Sequence, residues 1–512
     1  MARERSRRTS RRDRAKDTVE TISKISKVNQ PKVNISPYEM VTEEGIEKIH
    51  QASLEILSDV GIDFYDEEAI EVLKANGVKM GGDTGETAFF DREMVMEFVN
   101  KAPSEFTQIA RDPDNNIRIG GKNMVFAPVY GPPFVYDIDR GRREATLEDF
   151  NNFVKLAYMS PHLHHSGGTV CEPGDEPTHT RHLDMIYGHV KYSNKAFMGS
   201  VTTGENAADS VAMAEIVMGK QIYENPAMVS LINVSSPRRY DDRMLGALKV
   251  YAKANQATIV SPFLFSGAMS PVGLAGTLTQ MNAESLAGIA FKQMLKPGCP
   301  VIFGCFQTNI DLQSGAPVFG SPESQIVLSA AAQLARRHKL PFRSGGMFTG
   351  AKTADAQAAY ESMGVMLPAV QSGVNFILHS AGWLEGGLAA GYEKFVQDAE
   401  ILGMFHRLVE GLSLDENSFA MDSLRNTVVT DHHLGTPHTM ANFRTAFHRA
   451  EIFNYDSYEK WYEEGAETSE QAAAKKVKQM LRDYEAPPLD QAIDEELQAY
   501  MARRKEEIPP EF

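Results

Sequence analysis

The chain has little cysteine: only Cys171, Cys299 and Cys305 occur in 512 residues, and no two are spaced as C-x-x-C. This argues against a disulfide framework and makes a reducing cytoplasm the expected compartment. No apolar run approaches the ~18–20 residues that span a bilayer, so no membrane partner is expected. The N-terminus is charged throughout and has no apolar stretch, so no signal peptide is expected. Positive charge is in deficit. The formal net charge is −16, which argues against nucleic acid as a partner of the body. No G-x-G-x-x-G follows any candidate strand, which removes the commonest dinucleotide-binding signal.

What is present is ordinary soluble composition, 42% hydrophobic and 23% charged, over a length that suits one large barrel with helical extensions or two to three domains. Four regions are expected: a basic tail over 1–40, a helical region over 41–115, a barrel over 116–450 and a helical extension over 451–512. The first sixteen residues carry Arg3, Arg5, Arg7, Arg8, Arg11, Arg12, Arg14 and Lys16 with no apolar pattern. The plain reading is a disordered, solvated tail; the sharper one is a docking arm for an acidic protein. In the helical region, Ile46, Ile49, Ser53, Ile56, Leu57 and Val60 share one face, and Gly61 stops it. Asp66 and Asp91 are placed to cap two further helices.

Phe126 to Tyr136 mixes β-prone residues with prolines and reads as an irregular hairpin. Thr146-Leu-Glu-Asp149 is a capping box opening a helix. Beyond it, short apolar runs near 166–171, 196–201, 227–233, 258–264, 300–306, 341–344 and 374–379 alternate with helical patterns. That alternation predicts a TIM-type (β/α)8 barrel, its eighth strand lying near 424–430 or before 137. A doubly wound open sheet is the competing arrangement. The charged stretch from Glu459 to Lys505 is expected to wrap the barrel or a neighbouring subunit of a homo-oligomer.

Residues just after each strand face one mouth of such a barrel. They include Glu172, Thr202, Asn233, Phe265, Gln307, Gly345 and His379, with a single carboxylate among them. That is poor equipment for a glycosidase, which needs two facing carboxyls. Tyr130, Phe134, Phe265, Phe306, Phe348 and Trp383 gather near the same ends. Aromatic faces hold a quaternary ammonium, although aromatics at strand ends more often plug the barrel. Two histidine clusters, His162/His164/His165 and His432/His433/His438, allow a metal-dependent hydrolase on the same barrel as an alternative. The first lies at the wrong strand end for a barrel active site, and a hydrogen-bonded structural role is the plainer reading. Cys171 and Cys305 read as small core residues. No resident metal is expected.

Leu340 to Glu361 is the most informative stretch: a buried strand, a glycine-rich turn, then a helix opening at Asp355. It resembles the corresponding segment of the trimethylamine methyltransferase family. The resemblance extends from about residue 42 to about 500. It is carried also by Ser53-Leu-Glu-Ile-Leu-Ser-Asp-Val-Gly61, Phe126-Ala-Pro128, Asn375-Phe-Ile-Leu-His-Ser-Ala-Gly382 and Leu434-Gly-Thr-Pro-His-Thr439. It implies a barrel that holds no corrinoid (cobalamin) of its own, docks a small corrinoid protein at its mouth, and moves a methyl group from an amine to that partner's cob(I)amide. The family's archaeal founders carry pyrrolysine, whereas this chain has only the standard twenty residues. Trimethylamine must gain positive charge before a methyl can leave; a quaternary amine already carries it. The resemblance therefore implies a quaternary amine of the glycine betaine type, with trimethylamine as the alternative. Glu172 and His379 are the catalytic candidates. Tyr130, Phe134, Phe306, Gln307, Arg343, Phe348, Trp383 and His438 are the substrate-binding candidates, Arg343, Lys352, His379 or His438 meeting a substrate carboxylate.

Overall fold

The structure is a computed structural model that describes residues 27–510. The basic run of the first sixteen residues lies outside the described residues. From Lys27 onward the chain is docked on the body: Lys27 pairs with Asp114 at 2.8 Å, and the Val33 and Asn34 amides donate to the carbonyls of Lys122 and Val409.

Three helices follow, Glu43–Glu55, Glu67–Ala75 and Arg92–Val99, each opened by a side-chain cap from Thr42, Asp66 and Asp91 respectively. The first ends as read from the sequence. Gly61 takes φ +81°, a conformation a β-carbon would disfavour, and its amide closes the last turn on Ile56.

The main sheet has strands β1 (Val125–Phe126), β2 (Phe197–Met198), β3 (Met228–Val234), β4 (Ala257–Ser266), β5 (Val301–Gly304), β6 (Phe342–Gly345) and β7 (Phe376–Leu378). Neighbours from β2 to β7 pair in parallel in chain order, and β7 pairs in parallel with β1. Past Cys305, Phe306–Ile310 extends the line of β5 alongside the upper part of β4. Helices alternate with the strands: α1 (Leu147–Met159), α2 (Arg181–Tyr192), α3 (Gly204–Met218), α4 (Asp242–Lys253), α5 (Leu274–Leu295), α6 (Pro322–Arg337), α7 (Ala356–Gln371) and α8 (Tyr392–Glu410). Both sheet faces are apolar, as parallel strands covered on two sides require. Val125, Met198, Leu231, Ile259, Ile302 and Phe376 form one cluster; Ile232, Val260, Phe303 and Ile377 join the larger core with the helices. The alternation of neighbours such as Ile259 and Val260 is the period-2 pattern of a pleated strand.

Two strand expectations are corrected. The run 166–171 forms no strand; the segment before it makes a single parallel bridge between His165 and Ala196. The additional strand is Val125–Phe126, so only Phe134–Asp137 of the expected irregular hairpin pairs as a hairpin, with Gly141–Glu144. Residues 424–430 supply no strand; they belong to an exposed segment described below.

Buried polar side chains latch the strand starts. Asn375 accepts the Phe342 amide and donates to the carbonyls of Gly121 and Asn123, joining β6 and β7 to the entry of β1. The Gln256 amide does the same for the Ala227 and Met228 amides at β3. The C-terminal helices α9 (Ser469–Arg482) and α10 (Gln491–Glu507) pack on α8 with α1, and on α3 with α2. Asp209 on α3 fastens α10 through Tyr500 and Arg504 at 2.6 and 2.7 Å, so the charged tail wraps its own chain.

Replacing Asn375 by Leu leaves two carbonyls and one amide unpaired near the sheet's base. We expect a loss of about 2–4 kcal/mol in unfolding free energy, read by urea titration. A loss below about 1 kcal/mol would contradict the latch.

Candidate active site

At the carboxyl ends of β4 to β7 the pleat puts Arg343 on the face opposite Phe342, which packs into the helix-side core. Arg343 is 1% exposed. Its Nη1 lies 3.3 Å from Ser261 Oγ and 3.2 Å from the Cys305 carbonyl, and its Nη2 lies 3.2 Å from His379 Nε2. Its Nε has no partner, and among the described residues no carboxylate pairs with it. Burial lowers its pKa to about 10, so the guanidinium remains charged at neutral pH. A buried cation without a counter-ion is costly, and an anion set against it would offset part of that cost.

His379 follows β7 in a left-handed backbone conformation, φ +61°, uncommon for a residue with a β-carbon. Its amide donates to Pro128 O and its carbonyl accepts from the Met347 amide, which holds that conformation. Its Nδ1 accepts the Tyr130 amide at 3.2 Å. A neutral imidazole has one acceptor nitrogen, so the proton belongs on Nε2. The Nε2–H then faces Arg343 Nη2, donor to donor. Burial first, then the charge of Arg343, holds the His379 pKa well below the ordinary 6.5, so the ring stays neutral beside the guanidinium. An acceptor set between the two groups relieves the conflict.

Around these donors stands a group of packed rings. Trp383 meets His379 at 4.5 Å and Phe348 at 4.7 Å, centroid to centroid. Phe306 meets Phe348 at 5.2 Å, and Phe319 meets Trp383 at 5.5 Å. Two glycines permit the packing. A β-carbon on Gly345 would overlap the Phe348 ring, and one on Gly387 would lie 2.5 Å from Trp383 Cη2. The turn carrying His379 and Trp383 is fixed from behind: buried Asp398, paired with Lys394, accepts the Gly382 amide at 2.9 Å. Trp383 Nε1 is buried and unpaired, a further donor without an acceptor.

The structure thus gathers five of the sequence candidates: Phe306, Arg343, Phe348, His379 and Trp383. Tyr130 adjoins them through its amide, its ring over Gly168. Gln307 is buried and donates to Ser266 Oγ, while its carbonyl oxygen is unpaired. Glu172 sits in an ion pair with Arg181 at 2.8 Å. Phe134 lies in a separate small sheet with its ring under the Arg142 guanidinium, 3.7 Å from the centroid, outside the ring group. Lys352 is exposed, with its ammonium on the Gly350 carbonyl. His438 is also outside. It stands on a short exposed helix, its Nε2 on the Asn417 carbonyl. Sequence reasoning missed Phe319, Ser261 and Asp398. Phe319 ends a polar loop, and no local pattern marked it.

The histidine clusters do not meet. His164 takes the Phe126 amide on Nδ1 and faces His406 at 3.0 Å, while His433 bonds Ser423 and Thr427. Among the described residues no group of three or more His, Cys, Asp or Glu side chains is placed to hold a metal.

A two-sided parallel α/β fold with a buried, donor-rich aromatic group at its strand ends is an enzyme-type architecture. The family model described as trimethylamine methyltransferase (MTTB) matches residues 3–509, and the chain belongs to that family. Among curated relatives, it is 44% identical to the glycine betaine methyltransferase of Desulfitobacterium hafniense strain Y51, over 93% of this chain and 98% of that protein. It is 26% identical to the trimethylamine methyltransferase MttB of D. hafniense strain DCB-2, over 81% and 84%. It is 27% identical to the proline betaine:corrinoid methyltransferase of Eubacterium limosum, over 65% and 70%.

His379 should stay neutral and Nε2-protonated from about pH 6 to about pH 8. Nitrogen NMR of histidine-labelled protein, assigned with His379→Gln, checks this. An inflection near 6.5, or a proton on Nδ1, would contradict the site geometry.

Proposed function

We propose that this methyltransferase takes a methyl group from a quaternary amine that also bears a carboxylate, glycine betaine or a close analogue, and transfers it to the corrinoid of a separate small protein. The observation that carries this reading is Arg343: a buried guanidinium with no counter-ion among the described residues, beside a histidine N–H that also lacks an acceptor there, and against aromatic rings. The carboxylate supplies the missing acceptor. The rings receive the trimethylammonium head, whose charge no hydrogen bond can satisfy, at about 2 kcal/mol per desolvated cation–π contact. The two relatives named for betaines act on substrates of this shape. Trimethylamine has no carboxylate and would leave Arg343 unpaired.

The chemistry asked of this chain is modest. The leaving amine departs neutral, so no proton need be delivered, and a histidine held neutral fits that requirement. Arg343, His379 and the rings bind, orient and exclude water. The docked partner's corrinoid supplies the methyl-accepting nucleophile. Exposed apolar residues follow four successive strands on this face, Val272, Leu312, Tyr360 and Leu388, and offer that partner a footing.

The same reading takes the sheet as a closed (β/α)8 barrel. In support, the His164 amide donates to Phe126 O, the Ser166 amide to Ala196 O, and the Met198 amide to Gly167 O. Residues 164–167 thereby bridge β1 and β2 and stand for the remaining strand. Among the described residues no helix is long and apolar enough to cross a membrane. Three buried free thiols suit a reducing cytoplasm.

The purified protein, given reduced free cob(I)alamin and a panel of amines, should methylate it from glycine betaine or another carboxylate-bearing quaternary amine, followed by absorbance. Trimethylamine as the sole donor would refute the reading. Arg343→Met should cut kcat/KM for the betaine by roughly two to three orders of magnitude, and far less for a quaternary amine without a carboxylate. Leu312→Asp should slow transfer to the protein-bound corrinoid about tenfold while sparing transfer to free cob(I)alamin. Equal effects on both acceptors would remove Leu312 from the docking face.

A further inference from the structure

A cavity of about 420 Å³ opens at the starts of the strands, away from the rings. Asn123, Leu340 and Asn375 line it just before the chain enters β1, β6 and β7. Its volume falls within the ~300–1,000 Å³ of small-molecule sites. One wall is the segment that precedes the first helix, which contributes Val33, Ile35 and Pro37. Two amides hold that segment in place, Val33 on the Lys122 carbonyl and Tyr38 on the Gln371 carbonyl. With Leu340, these residues make one side of the cavity apolar.

The other side is cationic. Lys122, Arg336 and Lys339 line it, and no acidic residue does. Among the described residues none of the three cations has an ion-pair partner, and Glu39 acts on Arg336 only from beyond ion-pair distance. Arg337, next in the chain, shows the ordinary arrangement: it pairs with Glu47 at 2.8 Å. Arg336 instead gives Nη1 to the Ser372 carbonyl at 2.6 Å, and its Nη2 is buried with no acceptor. Three unpaired cations around one cavity run against a chain whose net charge is −16. A donor buried without an acceptor costs about 1–3 kcal/mol, and the grouped like charges repel. An anion offsets both, and an apolar body attached to it displaces water from Val33, Ile35 and Leu340.

We propose that this cavity binds a small organic anion with an apolar body, a carboxylate on a short hydrocarbon chain, at a site separate from the amine site. The charged end meets Arg336, Lys122 and Lys339, and the chain lies against the apolar wall. A betaine does not suit the cavity, because its quaternary head would stand among three cations. A compact inorganic anion leaves the apolar wall uncovered. Asn375 and the Asn123 carbonyl belong to the latch that joins β6 and β7 to the entry of β1, so an occupant braces the strand starts. The proposal does not depend on the proposed reaction.

Calorimetric titration of the full-length protein with octanoate, up to about 5 mM, tests this. Octanoate should bind at least about tenfold more tightly than octan-1-ol, which lacks the charge, or inorganic phosphate, which lacks the chain. Lys122→Gln with Lys339→Gln, both exposed and unpaired, should weaken octanoate about tenfold while leaving the thermal unfolding of the free protein unchanged. Arg336→Met should weaken it further. Arg343→Met should leave the binding intact, and hydrogen exchange should slow on octanoate addition at residues 33–38 rather than at 343–348. No heat with octanoate, or equal binding of octan-1-ol, would overturn the proposal. So would unchanged binding in the Lys122/Lys339 variant. Loss of binding in Arg343→Met would place octanoate at the strand ends and overturn it as well.

Discussion

The site is organised around one unpaid charge. Arg343 is buried on a parallel strand, tied at one nitrogen to Ser261 and the Cys305 carbonyl and left without a carboxylate among the described residues. Removing a guanidinium from water costs several kcal/mol, and a paired anion with good geometry offsets it. The surroundings keep that charge available. His379, pinned by the Tyr130 amide and held neutral, turns a donor toward it. The rings exclude water, and Gly345 and Gly387 let them close over the strand ends. In a substrate with a cation at one end and a carboxylate at the other, each half completes part of this arrangement.

Much of the fold was legible because parallel strands buried on two faces read as short, nearly continuous apolar runs. Six of these runs became β2 to β7. The strand Val125–Phe126 lies before 137, one of the two places offered for the remaining strand, but two paired residues before Pro128 leave too little pattern to choose it over 424–430. In the run 166–171 only the first residues pair, Ser166 and Gly167 with the edge of β2, before the chain turns away, so a buried apolar run there yields no regular strand. The site was half legible. An arginine inside a buried apolar run, Phe342-Arg343-Ser344, is conspicuous in one dimension, and aromatics after strands invite a binding role. Whether the arginine is paired is a three-dimensional fact. So are the tautomer of His379, which depends on a backbone amide 249 residues away, and the position of Phe319.

The C-terminal half divides the labour in a way that composition did not reveal. The charged tail, α9 and α10, closes on its own chain through ion pairs such as Arg504 with Asp209. The segment before it, one of the two places where sequence reasoning had sought the eighth strand and the one that holds His438, leaves its large apolar side chains exposed. Its His433 and His438 are engaged in local bonds, whereas Arg343 Nε and Trp383 Nε1, at the strand ends, are donors left without acceptors.

The most direct test of the central claim is calorimetric binding, without any corrinoid, of three ligands of nearly equal size. These are glycine betaine, its neutral-carbon analogue 3,3-dimethylbutanoate, and choline, which has the cation but no carboxylate. If Arg343 and the rings act together, glycine betaine binds at least about tenfold more tightly than either of the others. Choline binding as tightly as glycine betaine would show that the buried guanidinium receives no carboxylate, and would contradict the account.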